Sequence, residues 1–236
     1  MFSRSYILVS GNDRYTFLNG LMTNDALKLE SGSPLFAAFL NASGRFLFDA
    51  FLAEKDGFIV IDVDKNMRDD LFTHLSRYKL RAKVILEKQD ESPFEFLWPE
   101  PFSKTMPHQE RIQKGLPFGL IDVIPEKGFI LECGYDELGA IDWQKGCYLG
   151  QELVAKTKYR GELRKKLMCI TFDGLLESGI ITTKDSNEAG DMRSIAENCA
   201  LAMIRLEFIH QDLFVGEKQI RLAQRSKPSP HEKDLF

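Results

Sequence analysis

Apolar residues in the first third of the chain recur in short runs that are separated by turn-forming residues. The runs cover residues 35–40, 46–52 and 58–63, and the turns between them contain Gly44 and Gly57. Short apolar runs joined by tight glycine-bearing turns are typical of antiparallel strands. This part of the chain therefore predicts a three-stranded antiparallel sheet, preceded by a further short strand near the N-terminus.

Two helices are predicted beside this sheet, because apolar residues recur there at every third or fourth position. Asp13 is the N-cap candidate of the first helix, and Asp64 or Asn66 is the N-cap candidate of the second. The apolar faces are, in chain order, Phe17, Leu18, Leu21 and Met22, then Met67, Leu71, Phe72, Leu75 and Tyr78. A further strand is expected around residues 83–86. Helices and strands in this order predict an α+β fold class.

Prolines mark a change in the middle of the chain. Five of the nine prolines lie between Pro93 and Pro117, so an irregular connection is predicted over residues 90–107. The elements predicted after it are a short helix over 110–114, short strands over 121–124 and 129–132, and a helix that starts near Gly150.

The last third of the chain has short apolar runs separated by turns and lacks a sustained helical period. This pattern predicts a separate antiparallel β module over residues 168–236, with a frayed tail from Ser226. The preceding residues form the predicted α+β body. Its expected extent is 1–167, with 31–107 as one subdomain and 1–30 together with 108–167 as the other.

Composition and charge restrict the classes of partner. The formal net charge is −4 and the sequence pI is about 5.7, so the chain as a whole carries no positive field for nucleic acid or anionic membranes. No apolar run approaches the roughly 20 residues that a membrane span needs. No targeting signal precedes the first predicted strand, and a cytoplasmic protein without membrane contact is therefore expected.

One local strip departs from this charge balance. Residues 156–166 contain six basic residues beside Glu162. Such a strip is either a solvated face or a contact for an anionic partner, for which a polyglutamate tail, tRNA and an acidic protein are the alternatives.

The cysteine spacing argues against a metal site. Cys133, Cys147, Cys169 and Cys199 form no C-x-x-C or C-x-x-H pair. Zinc and iron–sulfur sites in proteins depend on such closely spaced ligands. No metal ligands are therefore assigned. Three of the four cysteines lie in apolar surroundings and are expected to be buried.

Residues 145–152, with the sequence KGCYLGQE, form the strongest candidate site and are called the signature segment below. A helix that starts near Gly150 places its positive end beside Cys147, and Lys145 stands two positions before that cysteine. Both effects favour the thiolate. Cys147 and Lys145 are therefore the candidate catalytic residues. The alternative interpretation is a glycine turn with a packed cysteine.

The sequence resembles the YgfZ-type folate-binding proteins of the GcvT-like family, which are relatives of the glycine cleavage aminomethyltransferase and of mitochondrial factors for iron–sulfur protein maturation. The resemblance spans roughly residues 6–167 and weakens after them. It rests on the signature segment and on further segments that occur in the same order, at residues 11–25, 44–45, 77–84 and 115–119.

The resemblance implies a ring of two α+β subdomains with a small C-terminal antiparallel β-barrel-like module. It also implies a tetrahydrofolate-type cofactor and a role in the assembly, repair or activity of iron–sulfur enzymes, including tRNA-modifying ones. By motif position, the cofactor-binding residues would be Asn24, Asp25, Arg45, Arg81, Tyr148, Gln151 and Glu152.

The chemistry of a folate suggests roles for some of these side chains. Asp25, Gln151 or Glu152 would pair with the pterin ring, and Arg45 or Arg81 would hold the glutamate carboxylates. Asp25 and Glu152 are then expected to line one cleft.

Two other functions remain open at this point. One is a tetrahydrofolate-dependent aminomethyltransferase or methyltransferase, and the other is a non-catalytic adaptor for an acidic partner or tRNA. Cys147 lies inside a signature that the aminomethyltransferases lack, and this argues against aminomethyl transfer. Whether the chain is an enzyme stays open.

Overall fold

A computed structural model of the chain describes residues 3–223. Within that range the chain divides into two compact units. The first contains the residues up to Met106 together with Phe118–Leu163, and the second contains Pro107–Pro117 together with the residues from Arg164 onward. The predicted frayed tail lies outside the described residues.

A five-stranded antiparallel sheet forms the centre of the first unit. Its strands are β1 (Arg4–Ser10), β2 (Leu35–Leu40), β3 (Phe46–Lys55), β4 (Phe58–Asp64) and β5 (Ile85–Gln89), arranged in the order β2-β3-β4-β1-β5. The consecutive pairing of β2, β3 and β4 confirms the three predicted strands. Every residue of β2 is buried, which explains why its sequence is a continuous apolar run.

Helices α1 (Arg14–Asn19), α2 (Arg68–Lys79) and α4 (Gln151–Arg160) belong to the first unit. Helix α1 is shorter than predicted, because the chain leaves the helix through turns in which the amides of both Leu21 and Met22 donate to the carbonyl of Leu18. The predicted caps of α2 are also wrong. Its N-cap is Met67, and the Asp64 carboxylate accepts the amide of Asn66 instead.

The predicted strands at 121–124 and 129–132 are absent. Successive turn bonds run from the amide of Glu132 to the carbonyl of Phe129, from Cys133 to Ile130 and from Gly134 to Leu131, at 3.1 to 3.3 Å. The apolar side chains of this stretch are buried, although its backbone forms consecutive turns and not a strand. Apolar content alone does not distinguish this arrangement from a strand.

The connection over residues 90–107 has no regular structure beyond its turns, as predicted, but it contributes to the core. The ring of Trp98 stacks on Phe51 with 4.2 Å between centroids, and Phe102 lies 4.6 Å from Phe36. Such aromatic contacts add to the stabilisation from burial alone. An irregular segment thereby covers the face of the sheet.

The second unit is a closed antiparallel barrel, which confirms the predicted β module. Its strands are β6 (Lys165–Thr171), β7 (Ile180–Thr183), β8 (Glu188–Ile195), β9 (Cys199–Arg205), β10 (Leu213–Val215) and β11 (Lys218–Leu222), in the order β10-β11-β6-β9-β8-β7. Closure leaves no unpaired sheet edge. Within the described part of this unit, the only helical segment after Arg164 is the short 3-10 turn Leu206–Phe208.

Helix α3 (His108–Gln113) packs with this barrel, although the sequence grouped residues 108–117 with the body. The fully buried Arg111 explains the difference. Its guanidinium donates to the carbonyl of Leu116 at 2.5 Å and to the hydroxyl of Ser194 in β8 at 2.6 Å. A buried cation needs such partners, and these partners tie the segment to the barrel.

Candidate functional site

The signature segment and Asp142 just before it are attached to a second segment that lies about 120 residues earlier in the chain. The amide of Asp142 donates to the carbonyl of Thr23, and the amide of Leu149 donates to the carbonyl of Gly20, both at 3.0 Å. The two stretches that carried much of the sequence resemblance are therefore adjacent within the first unit.

Lys145 strengthens this attachment from the middle of the segment. Its Nζ donates to the carbonyls of Met22 at 2.7 Å and Asn24 at 2.6 Å, and it lies 5.2 Å from the centroid of the Tyr148 ring. Burial lowers the pKa of Lys145 to about 8, with the carboxylates of Asp25 and Asp142 acting in the opposite direction. The ammonium group thus binds main-chain oxygens of the earlier segment and holds the two segments together. This interaction is called the Lys145 clamp below.

Thr23 and Asn24 are buried and hold the main chain in place. The Thr23 hydroxyl donates to the carbonyl of Ala140 at 2.6 Å and accepts the amide of Ala38 at 2.9 Å. The Asn24 side chain donates to the carbonyls of Phe36 and Gly139, each at 2.9 Å. Asn24 was predicted to bind a cofactor, but both amide hydrogens are directed to backbone oxygens.

Asp25 is half-buried beside this network. One of its carboxylate oxygens accepts the amide of Leu27 and the side-chain amide of Asn19, each at 2.9 Å, and thereby caps the 3-10 helix Ala26–Ser31. Asp142 makes a related turn, in which its carboxylate accepts the amides of Gln144 and Lys145. Asp142 was not predicted from the sequence, although an aspartate that precedes a turn by two or three residues is a recognisable signal.

Gly44 and Gly150 bring the start of α4 against the turn between β2 and β3. Both have positive φ, +74° and +81°, a conformation that favours glycine. A Cβ atom on Gly150 would lie 2.5 Å from the carbonyl oxygen of Asn41 and 3.0 Å from the Cα of Gly44. The backbones of the two turns touch directly, and this contact fixes where α4 begins.

Cys147 is exposed on the loop before α4, whereas Cys133, Cys169 and Cys199 are buried. Burial raises the pKa of the Cys169 thiol to about 11 and also raises the pKa of Cys199. The four thiols therefore differ in accessibility, and at least two of the buried ones are poor sources of thiolate at neutral pH.

We expect a limiting amount of iodoacetamide at pH 7.5 to label Cys147 first in the folded protein. Peptide mapping by mass spectrometry measures the label at each cysteine, with the protein in 6 M guanidinium chloride as the control in which all four react. Faster labelling of a buried cysteine in the folded protein would contradict this account of the four thiols.

The remaining predicted residues of the signature segment differ in how accessible their polar groups are to a ligand. Tyr148 is buried, and burial raises its pKa to about 12. The Gln151 carbonyl oxygen accepts the amide of Tyr148 at 3.4 Å, which leaves its amide group without a bond among residues 3–223. Glu152 is exposed on the first turn of α4.

The two predicted arginines are not joined to the signature segment by any bond within the described part of the chain. Arg45 donates weakly to the carbonyl of Lys127 at 3.4 Å and lies 6.0 Å from the centroid of the Phe129 ring. Arg81 is exposed in the connection that follows α2. The predicted shared cleft of Asp25 and Glu152 stays a prediction.

No group of three or more His, Cys, Asp or Glu side chains arranged to hold a metal ion occurs in residues 3–223. The helices described in that range include none long and apolar enough to span a membrane.

Replacing Lys145 with methionine is expected to lower the free energy of unfolding by about 1–3 kcal/mol, because the carbonyls of Met22 and Asn24 lose a charged donor. Urea unfolding at pH 7 measures the change. The exposed Lys65 provides the control, and its methionine variant should stay within about 0.5 kcal/mol of the wild type. Equal effects of the two substitutions would contradict the clamp.

The depressed pKa of Lys145 also predicts the sign of a pH effect. The native state releases this proton near pH 8, whereas the unfolded chain keeps it up to about its ordinary pKa of 10.5. The unfolded state binds more protons in this window, so the wild type gains stability relative to Lys145→Met as the pH rises from 8 to 10.5. Urea unfolding of both proteins across that pH range tests this prediction. A stability difference that falls as the pH rises would contradict the depressed pKa of Lys145.

Comparisons with known proteins agree with this architecture. Residues 164–227 match the family described as CAF17, C-terminal beta-barrel domain. The chain is 29% identical to the mitochondrial iron–sulfur cluster assembly factor IBA57 homolog of Pyricularia oryzae, over 91% of this chain and 73% of that protein. It is 29% identical to mitochondrial IBA57 of Homo sapiens, over 90% of this chain and 78% of that protein.

The chain is similar to proteins named as IBA57 iron–sulfur cluster assembly factors. IBA57 of Mus musculus is a further relative, at 27% identity over 93% of this chain and 80% of the mouse protein. All three relatives are named as mitochondrial proteins, and this overturns the cytoplasmic localisation predicted from the sequence.

The fold itself is that of the predicted GcvT-like class. The crystal structure of the glycine cleavage system aminomethyltransferase T from Bartonella henselae superimposes with a TM-score of 0.78 at 13% identity, covering 96% of this chain and 84% of that one. At this identity the likeness concerns the fold. The relation to IBA57 agrees with the iron–sulfur part of the sequence prediction, whereas binding of folate stays a prediction.

Proposed function

We propose that this chain supports the assembly of iron–sulfur proteins and that it acts through the thiol of Cys147. Two findings support the proposal. Relatives over nine-tenths of the chain are named as iron–sulfur cluster assembly factors. Among the described residues, Cys147 is the one exposed thiol, and it lies on a loop that Lys145 fixes to the body.

The number of exposed thiols limits what the chain does alone. Iron–sulfur clusters are generally held by four cysteine thiolates, and residues 3–223 contain no clustered ligand set. A single thiolate at the surface supplies one ligand or one nucleophile, with loss of its proton to solvent. The cluster is therefore cargo, and the other ligands come from a partner protein.

A reduced folate is the cofactor in this proposal. The side chains that remain available fit its chemistry, since Asp25, Gln151 and Glu152 provide acceptors and donors for a pterin edge. Arg45 and Arg81 provide cations for the glutamate carboxylates. When bound, the folate supplies one-carbon or reducing chemistry. The part of the chain is to bind and orient it beside the signature segment.

Isothermal titration with tetrahydrofolate under anaerobic conditions tests the cofactor. Binding is expected in the wild type, and Asp25→Asn and Glu152→Gln should each weaken it about tenfold, with the exposed Glu162→Gln as the matched control. Absence of binding, or equal affinities for all four proteins, would remove folate from the proposal without affecting the assembly role.

Rescue of mouse cells that lack the mouse relative tests the assembly role. The chain would be expressed with a mitochondrial targeting sequence, because the relatives are mitochondrial. We expect recovery of mitochondrial iron–sulfur enzyme activities and no change in a mitochondrial enzyme that lacks a cluster. Failure to recover those activities, although the chain accumulates in mitochondria, would contradict the role.

A further inference from the structure

One side of α4 forms a continuous exposed surface, called the α4 face below. It consists of Glu152, Ala155, Lys156, Tyr159 and Arg160, which recur at three- and four-residue spacing and line one shallow depression. Residues at this spacing lie on the same side of a helix. The opposite side carries the buried Val154, so α4 packs on the body through one side and presents the other.

The basic residues of α4 differ in whether they have a partner. Lys156 and Arg160 have no hydrogen-bonded or ion-paired partner among residues 3–223, and Glu152 forms no ion pair with Lys156 in that range. Lys158, on the neighbouring side of the helix, is by contrast neutralised by Asp136 at 3.1 Å. The helix thus presents two unpaired cations on a chain whose net charge is −4.

An aromatic side chain lies on the same face as these two cations. Tyr159 is 70% exposed, and its ring contacts Trp143 edge to face with 6.2 Å between centroids. Trp143 is itself covered on one side by the ammonium of Lys158 at 5.1 Å. The tyrosine is therefore supported from one side and exposed on the other, which is the typical setting of an interface anchor.

We propose that the α4 face binds an acidic segment of a protein partner, with carboxylates at Lys156 and Arg160 and an apolar side chain against Tyr159 and Ala155. This inference rests on the proposed function, for which it supplies the docking site of the partner that holds the cluster. The complementarity of charge selects the partner's acidic character, and the exposed aromatic ring selects an apolar residue next to it.

The small number of unpaired cations on the α4 face favours a protein partner over a nucleic acid. Each neutralised phosphate lowers the logarithm of affinity by about 0.7 to 0.9 per tenfold rise in salt, so two cations contribute only a weak, salt-sensitive attraction to RNA. A short acidic segment with apolar residues gains from both the cations and the ring.

Fluorescence anisotropy with a labelled peptide of about ten residues that alternates Glu and Leu tests the proposal. We expect the wild type to bind it and the double variant Lys156→Glu/Arg160→Glu to bind at least tenfold more weakly. Tyr159→Ala should weaken binding about three- to tenfold. The matched control is Lys65→Glu/Arg77→Glu, which changes the net charge equally at two other exposed cations and should stay within about twofold of the wild type.

Two comparisons make the result decisive. Oligouridylate of the same charge should bind more weakly than the peptide, and Cys147→Ser should bind the peptide like the wild type. Circular dichroism confirms that each variant is folded. The proposal is overturned if the wild type does not bind the peptide, if the two charge-reversal variants bind alike, or if the RNA binds more tightly. Because the assay contains no cluster, these outcomes are independent of the rescue experiment.

Discussion

Gly150→Ala is expected to lower the free energy of unfolding by about 2–5 kcal/mol. The added Cβ would meet the carbonyl oxygen of Asn41 at 2.5 Å and the Cα of Gly44 at 3.0 Å, and both are main-chain atoms that cannot rotate away. A left-handed backbone costs an alanine about 1–2 kcal/mol, and overpacking adds about 1–3 kcal/mol. Urea unfolding followed by circular dichroism measures the sum.

Two other glycines separate these contributions. Gly139 has φ +68° and no atom within 4 Å of an added Cβ, so Gly139→Ala carries the backbone strain alone. Gly146 has neither a positive φ nor a close neighbour, and Gly146→Ala should leave stability unchanged or slightly raised. If Gly150→Ala were no more destabilising than Gly139→Ala, the close approach of the two turns would be refuted.

Asp62→Ala is expected to destabilise the first unit by about 3–5 kcal/mol, the usual effect of removing one partner of a buried ion pair. The fully buried carboxylate of Asp62 accepts the guanidinium of Arg4 at 2.6 Å and the indole N–H of Trp98 at 2.9 Å. Removal leaves a nearly buried cation and a buried donor without an acceptor. The total free energy of unfolding of a typical domain is only about 5–15 kcal/mol.

Asp90→Ala is the matched control, because Asp90 pairs with Arg68 at 2.6 Å but is 79% exposed. Solvent-exposed ion pairs contribute about 0–1 kcal/mol. Chemical denaturation of both variants at pH 7 gives the comparison. Similar losses for Asp62→Ala and Asp90→Ala would mean that the buried pair does not hold β1, β4 and the 90–107 connection together.

Local patterns in the sequence were sufficient to predict the strands of the sheet and an antiparallel β module in the last third of the chain, whereas the barrel-like form of that module was implied by the family resemblance. The runs 35–40, 46–52 and 58–63 form consecutive strands, since each is bounded by residues that allow a tight turn. The same reasoning was wrong for 129–132, where an equally apolar run is buried by successive turns. Burial drives both arrangements, and only the backbone bonding distinguishes them.

The loop and helix of the signature segment were predictable from the sequence, but the contacts of their residues were not. The glycines around Cys147 indicated a loop before a helix, and α4 begins at Gln151. The partners of Lys145 could not be found this way, because Met22 and Asn24 lie more than 120 residues earlier in the chain. Asn24 likewise binds carbonyls that only the folded chain brings within reach.

Substitution of Cys147 with serine tests the central claim most directly, because the exposed loop should tolerate the change without loss of stability. Rescue of iron–sulfur enzyme activities in mouse cells lacking the mouse relative is the measurement, with the exposed neighbour Gln144→Ala as the control and equal abundance of each variant verified. The account predicts that Gln144→Ala restores the activities like the wild type and that Cys147→Ser, with an unchanged melting temperature, restores none. Full rescue by Cys147→Ser would contradict it.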